Sequence, residues 1–548
     1  MKKLCLLFQL FLLASLSFAQ PATGSVKPKL PKVIQPVFKK DSFNIRKYGA
    51  VADGLTLNTT AINKAIDACN KKGGGVVVVP PGLWLTGPVM LKSNVNLHLQ
   101  RNAILQFTSD FDQYKLIRTN WEGRDTWRNE SPLSATNATN IAITGYGIID
   151  GNGQAWRMVK KGKLTDSDWK KLVASGGVLS DDKKTWYPSA KSLRGASIPN
   201  AASAIEGPML DSIKDFLRPN LLVFTRCNKI LLEGVTFQNS PAWCLHPLMS
   251  ENLTVRGITV KNPWFAQNGD GIDLESCKNV VIENSVFDVG DDGLCIKSGR
   301  DEEGRKRAMP TENVLIRNCT VYAAHGGFVI GSEMSGGARN IYVHDCSFIG
   351  TDIGLRFKTT RGRGGLVENI YMERINMKDI VGEAILFDMY YAAQDPIALA
   401  GEKREPPKVQ TLPVNETTPQ FQNFTIKDVV CDGAEKAIFV RGVPEMHVKN
   451  ILMENLVLQA KHAVDIQEAS NITIKNLTLK TTDTDPLLYI LNSDNITFNG
   501  LKYEKAGVLV NVQGDRTSAI KVMNTNLKNA DKLVSAEHGA DEKQVQVK

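Results

Sequence analysis

The chain has 548 residues, with 66 lysines and arginines against 57 aspartates and glutamates, a surplus of nine positive charges. Hydrophobic residues make up 42% of it, which excludes a disordered or low-complexity polymer. No concentrated basic stretch with interleaved aromatics is present, which argues against a nucleic-acid partner, and beyond the N-terminus no apolar run is long enough to span a membrane.

In chain order, Lys2 and Lys3 precede the apolar run Leu4–Leu13 and the small-residue site Ser17-Phe18-Ala19. Residues 1–19 therefore read as a secretory signal, and the mature protein is expected to be exported, periplasmic or secreted. Residues 20–41 are rich in proline and lysine and read as a disordered leader. Thr59–Lys71 carries apolar residues at Ala61, Ile62, Ala65, Ile66 and Cys69. That spacing predicts one short amphipathic helix, a cap over the first open end of the strands beyond it. Gly73-Gly74-Gly75 ends it, and Val76–Val79 reads as an apolar strand.

From about Asn140 one pattern recurs. An asparagine is followed by apolar or small residues at +1, +3, +6 and +8, as in Leu253, Val255, Ile258 and Val260 after Asn252. Counted from Asn228, the steps between successive asparagines are 24, 27, 34, 27, 29, 54, 27, 21 and 24 residues. Period-2 alternation means strands with one buried face. Each unit is too short to bury its own apolar residues, so neighbours must stack. The pattern predicts an all-β chain, a single-stranded right-handed parallel β-helix over residues 42–527, with a short N-terminal capping helix. A propeller, whose blades are about twice as long, is the runner-up. Asparagine tolerates the left-handed backbone that a bend between +3 and +6 needs. Insertions near 152–218 and 389–419 are expected as loops on one face, and 528–548 as a charged tail or cap. Beyond the signal the cysteines number eight, and most are expected to be free core residues. Cys319 above Cys346 suits an inward column better than a bridge.

The stretch Asn268–Lys297 holds two glycine-flanked acidic clusters, Asp270 with Asp273 and Asp291 with Asp292. Residues one coil apart lie about 4.7–4.9 Å apart along a β-helix, and the 21-residue step from Asp270 to Asp291 is about one coil. Asp270, Asp291 and Asp292 are therefore expected to share one patch. The next coils bring His325, then Arg356 and Lys358. One carboxyl to protonate a leaving oxygen and another to activate water is what glycoside hydrolysis requires. The two cations suit a negatively charged sugar.

These motifs resemble those of the polygalacturonases, pectin-hydrolysing β-helix enzymes. Asn268-Gly269-Asp270, Gly290-Asp291-Asp292, Ala324-His325-Gly326 and Arg356-Phe357-Lys358 stand in that family's order, and Gly147–Trp156 and Asn239–Pro247 extend the likeness upstream. Gly269, Ala324 and Phe357 depart from the usual Thr, Gly and Ile. The resemblance implies Asp291 as general acid, Asp270 and Asp292 as the pair that holds and activates water with inversion, and His325 as support. It implies Arg356 and Lys358 as carboxylate-binding groups, with no cofactor or metal. Asn268 and Tyr390 are expected at the substrate; Tyr391, Trp243 and His246 are further candidates there, and Asp273 and Glu275 read as structural. The partner is an acidic plant cell-wall polysaccharide or its oligosaccharides, and the protein is expected to be a monomer. Long loops that could close one cleft end favour exo over endo action. Two other readings stay open: a Ca²⁺-dependent polyuronate lyase on the same fold, and a β-helix that only binds polysaccharide.

Overall fold

The first inward position of each coil forms a continuous apolar column. Leu253, Val280, Val314, Ile341, Ile370, Phe424, Ile451, Ile472, Ile496 and Ile520 pair neighbour to neighbour in parallel register. None is more than 2% exposed. Burying each such side chain contributes about 1.5–3 kcal/mol, but only when a neighbouring coil supplies the other wall, which makes the stack cooperative. A computed structural model describes residues 30–199, 207–393 and 410–548; the signal segment 1–19, residues 20–29 and 394–409 lie outside the described residues.

The architecture is a parallel β-helix. One sheet has 14 strands in chain order, from Val89–Met90 to Ala530–Glu537. The other carries the asparagine-led strands and has 23. In the later coils its two halves run together, so that Leu366–Lys378 and Gln420–Asp432 pair along their length. The bend between +3 and +6 therefore turns the chain without breaking the ladder. Antiparallel strand pairs among the described residues occur only in the hairpin Leu116–Trp121/Arg124–Asn129 and in a three-stranded sheet within the first insertion.

The asparagines behave as their chemistry suggests. Asn252, Asn279, Asn313, Asn340, Asn369, Asn423, Asn450, Asn471 and Asn495 all have φ between 53° and 60°. Their side chains also form a ladder, for example Asn450 to Asn423 at 3.1 Å and Asn495 to Asn471 at 2.7 Å. The register corrects one position: Asn228 aligns with Glu251, so Lys229, with φ 57°, holds the left-handed site in that coil. A second left-handed column lies at +5, in the bend itself, where Asn284, Asn318, Asp345, Asp428, Asn455 and Asn476 stand. The same position is Gly257, Arg374 and Gly500 in other coils, so its mixed residue type leaves a weaker mark on the sequence than the first.

The helix Thr59–Lys71 forms where expected and buries Ala61, Ile62, Ala65, Ile66 and Cys69 in the common core. Gly73, Gly74 and Gly75, at φ 83°, 110° and 152°, turn the chain out of it. Residues 30–41 hold no helix or strand but are tied to the asparagine face: the Ile34 N–H donates to Asn252 Oδ1 and the Val37 N–H to Asn140 Oδ1. At the other end Ala530–Glu537 and Val545–Val547 add a last coil to the two sheets. All eight described cysteines are buried and free.

Candidate active site

Side chains on the wall strands alternate between core and cleft. In Ile272–Glu275, Asp292–Lys297, Gly326–Ile330 and Leu355–Lys358 the inward row is Ile272, Leu294, Phe328 and Leu355, all fully buried. The opposite row, beneath the cleft, is Asp273, Cys295, Val329 and Arg356, none of which lines the cleft surface itself. Glu275 pairs with Lys297 in the next row. The pairing Ile272↔Leu294 makes this coil 22 residues long, so Asp270 stacks over Asp292 and Gly269 over Asp291. Asp292 in turn pairs with Gly326, which sets His325 beside Asp291. The carboxylates thus occupy two adjacent tiers, as a step of one coil implies, with Asp292 rather than Asp291 directly against Asp270.

All three aspartates reach one another. An oxygen from each of Asp270, Asp291 and Asp292 lies within 4.8 Å of the others. Asp291, with a side chain 20% exposed, accepts from the Asn268 N–H at 3.2 Å, the Asp292 N–H at 3.0 Å and His325 Nδ1 at 3.1 Å. Asp292 is buried, with Lys358 Nζ at 2.8 Å and Arg356 Nη1 at 3.3 Å. Asp270 is buried, and its Oδ1 has no hydrogen-bond partner. Asn268 has φ 52°, and its side-chain oxygen accepts from Arg218 at 2.9 Å.

The protonation environments diverge. Burial, reinforced by the Asp273 and Asp291 carboxylates, pushes Asp270 well above the usual carboxyl range. Burial also raises Asp273, against the pull of Lys297. For Asp292 burial works in the same direction, but Lys358, then Arg356 and Lys297, outweigh it and hold the group well below its usual value. The hydrogen bond to Asp291 raises His325 over the opposing effect of burial. Crowded carboxyls separated this way by their neighbours are the pattern of an acid–base site.

The cleft has a volume of about 390 Å³. Trp243, Asn268, Asp270, Asp291, Asp292 and Lys358 line it, as expected. So do Glu122, Lys297, Arg300, Glu333, Arg363 and Tyr391, most of which sequence reasoning passed over. Lys297 ends the same acidic stretch and lies two residues past Cys295, so strand alternation could have placed it on the floor. Its Nζ meets Glu333 at 3.0 Å and Asp273 at 3.7 Å, and sits 4.8 Å over the Trp243 ring. His246 lies fully buried behind Trp243, bonded to Glu275 at 2.9 Å. The structure corrects Tyr390. It is 8% exposed and packs in the core cluster, with Arg441 4.9 Å over its ring. Its neighbour Tyr391 is the one in the cleft, with Lys358 4.9 Å over its ring. The strand ends at Asp388 and the chain turns at Tyr391–Ala392, so only one of the pair reaches the cleft.

The described residues of the long insertion do not close the cleft. From 152–218 only Arg218 bonds a cleft residue among the described contacts. The wall is instead the hairpin 116–129, which leaves the turns on one side of the 14-stranded sheet and latches onto the turn beyond Lys297 on the other. Arg300 N donates to Gly123 O at 3.1 Å, Asp125 N to Glu303 at 2.7 Å and Asn120 Nδ2 to Glu275 at 3.2 Å. Arg124 pairs with Asp301 and Arg300 with Glu122. Trp121 stacks on Trp243 at 6.1 Å.

Three oxygens from the aspartates could also face a cation. Asp292, however, already spends both oxygens on Lys358 and Arg356, which leaves a weak donor set for a hard divalent ion.

Comparison with known proteins agrees with this geometry. Residues 213–423 match Glycosyl hydrolases family 28, and residues 42–187 match the group Rhamnogalacturonase A/epimerase, pectate lyase-like. A probable polygalacturonase of Vitis vinifera is 30% identical over 427 residues, 76% of this chain and 74% of that one. An exo-poly-alpha-D-galacturonosidase of Dickeya chrysanthemi is 28% identical over 464 residues, 82% and 71% of the two chains. The solved hyperthermoactive exopolygalacturonase of Thermotoga maritima superposes with a TM-score of 0.65 at 30% identity, over 85% of this chain and 94% of its own. Relatives named as endo-polygalacturonases match at 26% identity.

Proposed function

The chain belongs to glycosyl hydrolases family 28, among the polygalacturonases, and from that premise we propose that it hydrolyses α-linked galacturonic acid in pectin from a chain end. The observation that carries the chemistry is the split between Asp292, held ionised by Lys358 and Arg356, and Asp270, raised by burial, with an oxygen of each within 4.8 Å of one on Asp291. Asp291, open to the cleft, delivers a proton to the leaving oxygen. His325 stands on it to stabilise the carboxylate that remains. Asp292 draws the proton from the attacking water, which Asp270 helps to hold. Arg356 and Lys358 present positive charge to the uronate carboxylate, and Tyr391 offers its ring beside them.

Attack by water in one step inverts the anomeric carbon. A second reading has a specific observation behind it: carboxyl oxygens within 4.8 Å are nearer the roughly 5 Å of retaining pairs than the roughly 6.5–9.5 Å of inverting ones. Proton NMR of the first-formed product decides between them. A β-anomer from the α-linked substrate means inversion, and an α-anomer means double displacement.

The exo assignment is supported by the hairpin 116–129, which spans the cleft at one end. Digestion of a reducing-end-labelled galacturonate octamer tests it. One small unlabelled product from the first minute is expected, and a random ladder of intermediates overturns end attack. The reaction type is tested by incubating oligogalacturonides with and without EDTA while tracking reducing ends and unsaturated-product absorbance. New reducing ends without absorbance are expected. EDTA-sensitive absorbance means a lyase, and no product means a binding protein. The leader sequence supports export, checked by N-terminal sequencing of the mature protein for a start at Gln20. A monomer is the expected oligomeric state, checked by light scattering.

A further inference from the structure

We propose that the insertion 152–199, together with the turn 263–265, forms a second binding site for an acidic sugar, apart from the hydrolytic cleft. Three observations converge there. The first is charge. Residues 152–199 hold ten lysines and arginines against four aspartates, a surplus of six in a chain whose whole surplus is nine. A modest net charge is thus concentrated on one unit, where it attracts a polyanion.

The second is a cavity of about 310 Å³ between the insertion and the turn, sharing no lining residue with the cleft. Val159, Leu164, Leu172, Trp186, Pro263 and Phe265 give it apolar walls. Arg157 lines it as well, although only 3% exposed. Its Nη1 donates to Ser240 O at 2.6 Å, and it forms no ion pair among the described residues. The nearby Asp150 is engaged by Gln238 and Asn239. Burial, aided by Arg218, drives Arg157 down to about 10. A buried guanidinium without a carboxylate partner is costly unless an anion completes it. Gln154 and Asn239 add polar groups at the same cavity.

The third is the rim. Trp264, between the two wall residues Pro263 and Phe265, is 53% exposed. Lys163, next to Leu164, holds its Nζ 4.8 Å over that ring. An open indole beside an ammonium suits the C–H face and the carboxylate of a uronic-acid residue. The site takes one or two such residues, with the carboxylate of one on Arg157. It also lies close to the catalytic turn, since a Cβ on Gly290, just before Asp291, would lie 2.5 Å from Pro263 O. A chain held here stays beside the cleft for repeated cleavage. The choice of an acidic ligand rests on the hydrolase reading, whereas the geometry of the site does not.

Calorimetric titration with tetragalacturonate tests the proposal, using the Asp291→Asn protein so that the ligand survives. Two sites per chain are expected. Adding Arg157→Gln or, separately, Trp264→Ala should leave one. The tryptophan variant alters only an exposed ring, so it reports even where Arg157→Gln fails to fold. A single site in the Asp291→Asn protein overturns the proposal, as do two sites that survive Trp264→Ala in folded protein. Equal occupancy of the second site by maltotetraose overturns its acidic character. Hydrolysis of tetragalacturonate by the unaltered protein is measured in parallel. Hydrolysis with one binding site sinks the second site alone. Two sites without hydrolysis uphold the second site and sink the hydrolase reading.

Discussion

The coils from Gly269 to Lys358 and those from Gln420 to Met523 share one winding and one asparagine ladder but differ in what else they bury. In both, asparagines hand hydrogen bonds from one turn to the next, and in the later coils the sheet pairs along 13-residue strands. In the earlier coils Asp270 Oδ1, both oxygens of Asp273 and Arg356 Nε, all at or beside the cleft, are buried with no hydrogen-bond partner, whereas in the later ones only Arg441 Nη1 and Asn492 Oδ1 are so among the described residues. An unmet buried polar group costs about 1–3 kcal/mol. The inward column is the same throughout. A solenoid can therefore load strain onto its outward positions while the core that holds it stays ordinary, and the two regions should answer mutation differently.

Asp291→Asn gives the widest separation. Turnover on oligogalacturonides should fall by roughly 10²–10⁴-fold, with the melting temperature little changed, as measured by reducing-end assay and calorimetry. Wild-type turnover in this variant would falsify the acid assignment. Arg356→Ala comes next, since it removes a charge-assisted bond of about 1.5–3 kcal/mol. The kcat/KM for acidic oligomers should drop about 10–100-fold while neutral glycosides are little affected, and an equal loss on both would mean that Arg356 serves the fold.

The mirror experiment lies in the regular coils. Ile472 is fully buried between Ile451 and Ile496, so Ile472→Ala should destabilise by about 2–5 kcal/mol without changing kcat. A change in kcat at a temperature where the variant is folded would show that the two regions are coupled. pH separates them on a smaller scale. Glu333 sits at about 2, since Lys297 and Arg363 outweigh its burial. Its ionised form stabilises the fold above its ordinary value of 4.5, and that contribution is lost as pH falls from 4.5 through 2. Glu333→Gln should flatten the decline of melting temperature across this window, and an unchanged slope would remove Glu333 from the acid response. The smallest effect belongs to the ladder. Asn471→Ala forces alanine to φ 56° and breaks two inter-coil bonds, to Asn450 and from Asn495; the backbone alone costs about 1–2 kcal/mol, a loss that Asn471→Gly should be spared.

The amino-acid order by itself determined the winding, the capping helix, the apolar columns and the meeting of Asp270, Asp291, Asp292, His325, Arg356 and Lys358. All of these stem from a repeat whose side chains alternate with period 2 and whose coils must stack. It did not determine which tyrosine of the adjacent pair faces the cleft, that Lys229 replaces Asn228 in the column, or that Asp270 sits over Asp292. These depend on register, which a one-residue slip reverses. Nor could it determine that the hairpin 116–129, more than 140 residues upstream of Asp270, crosses the cleft while the described residues of the longer insertion stand aside. Those contacts join segments with no shared period, and only the folded chain brings them together.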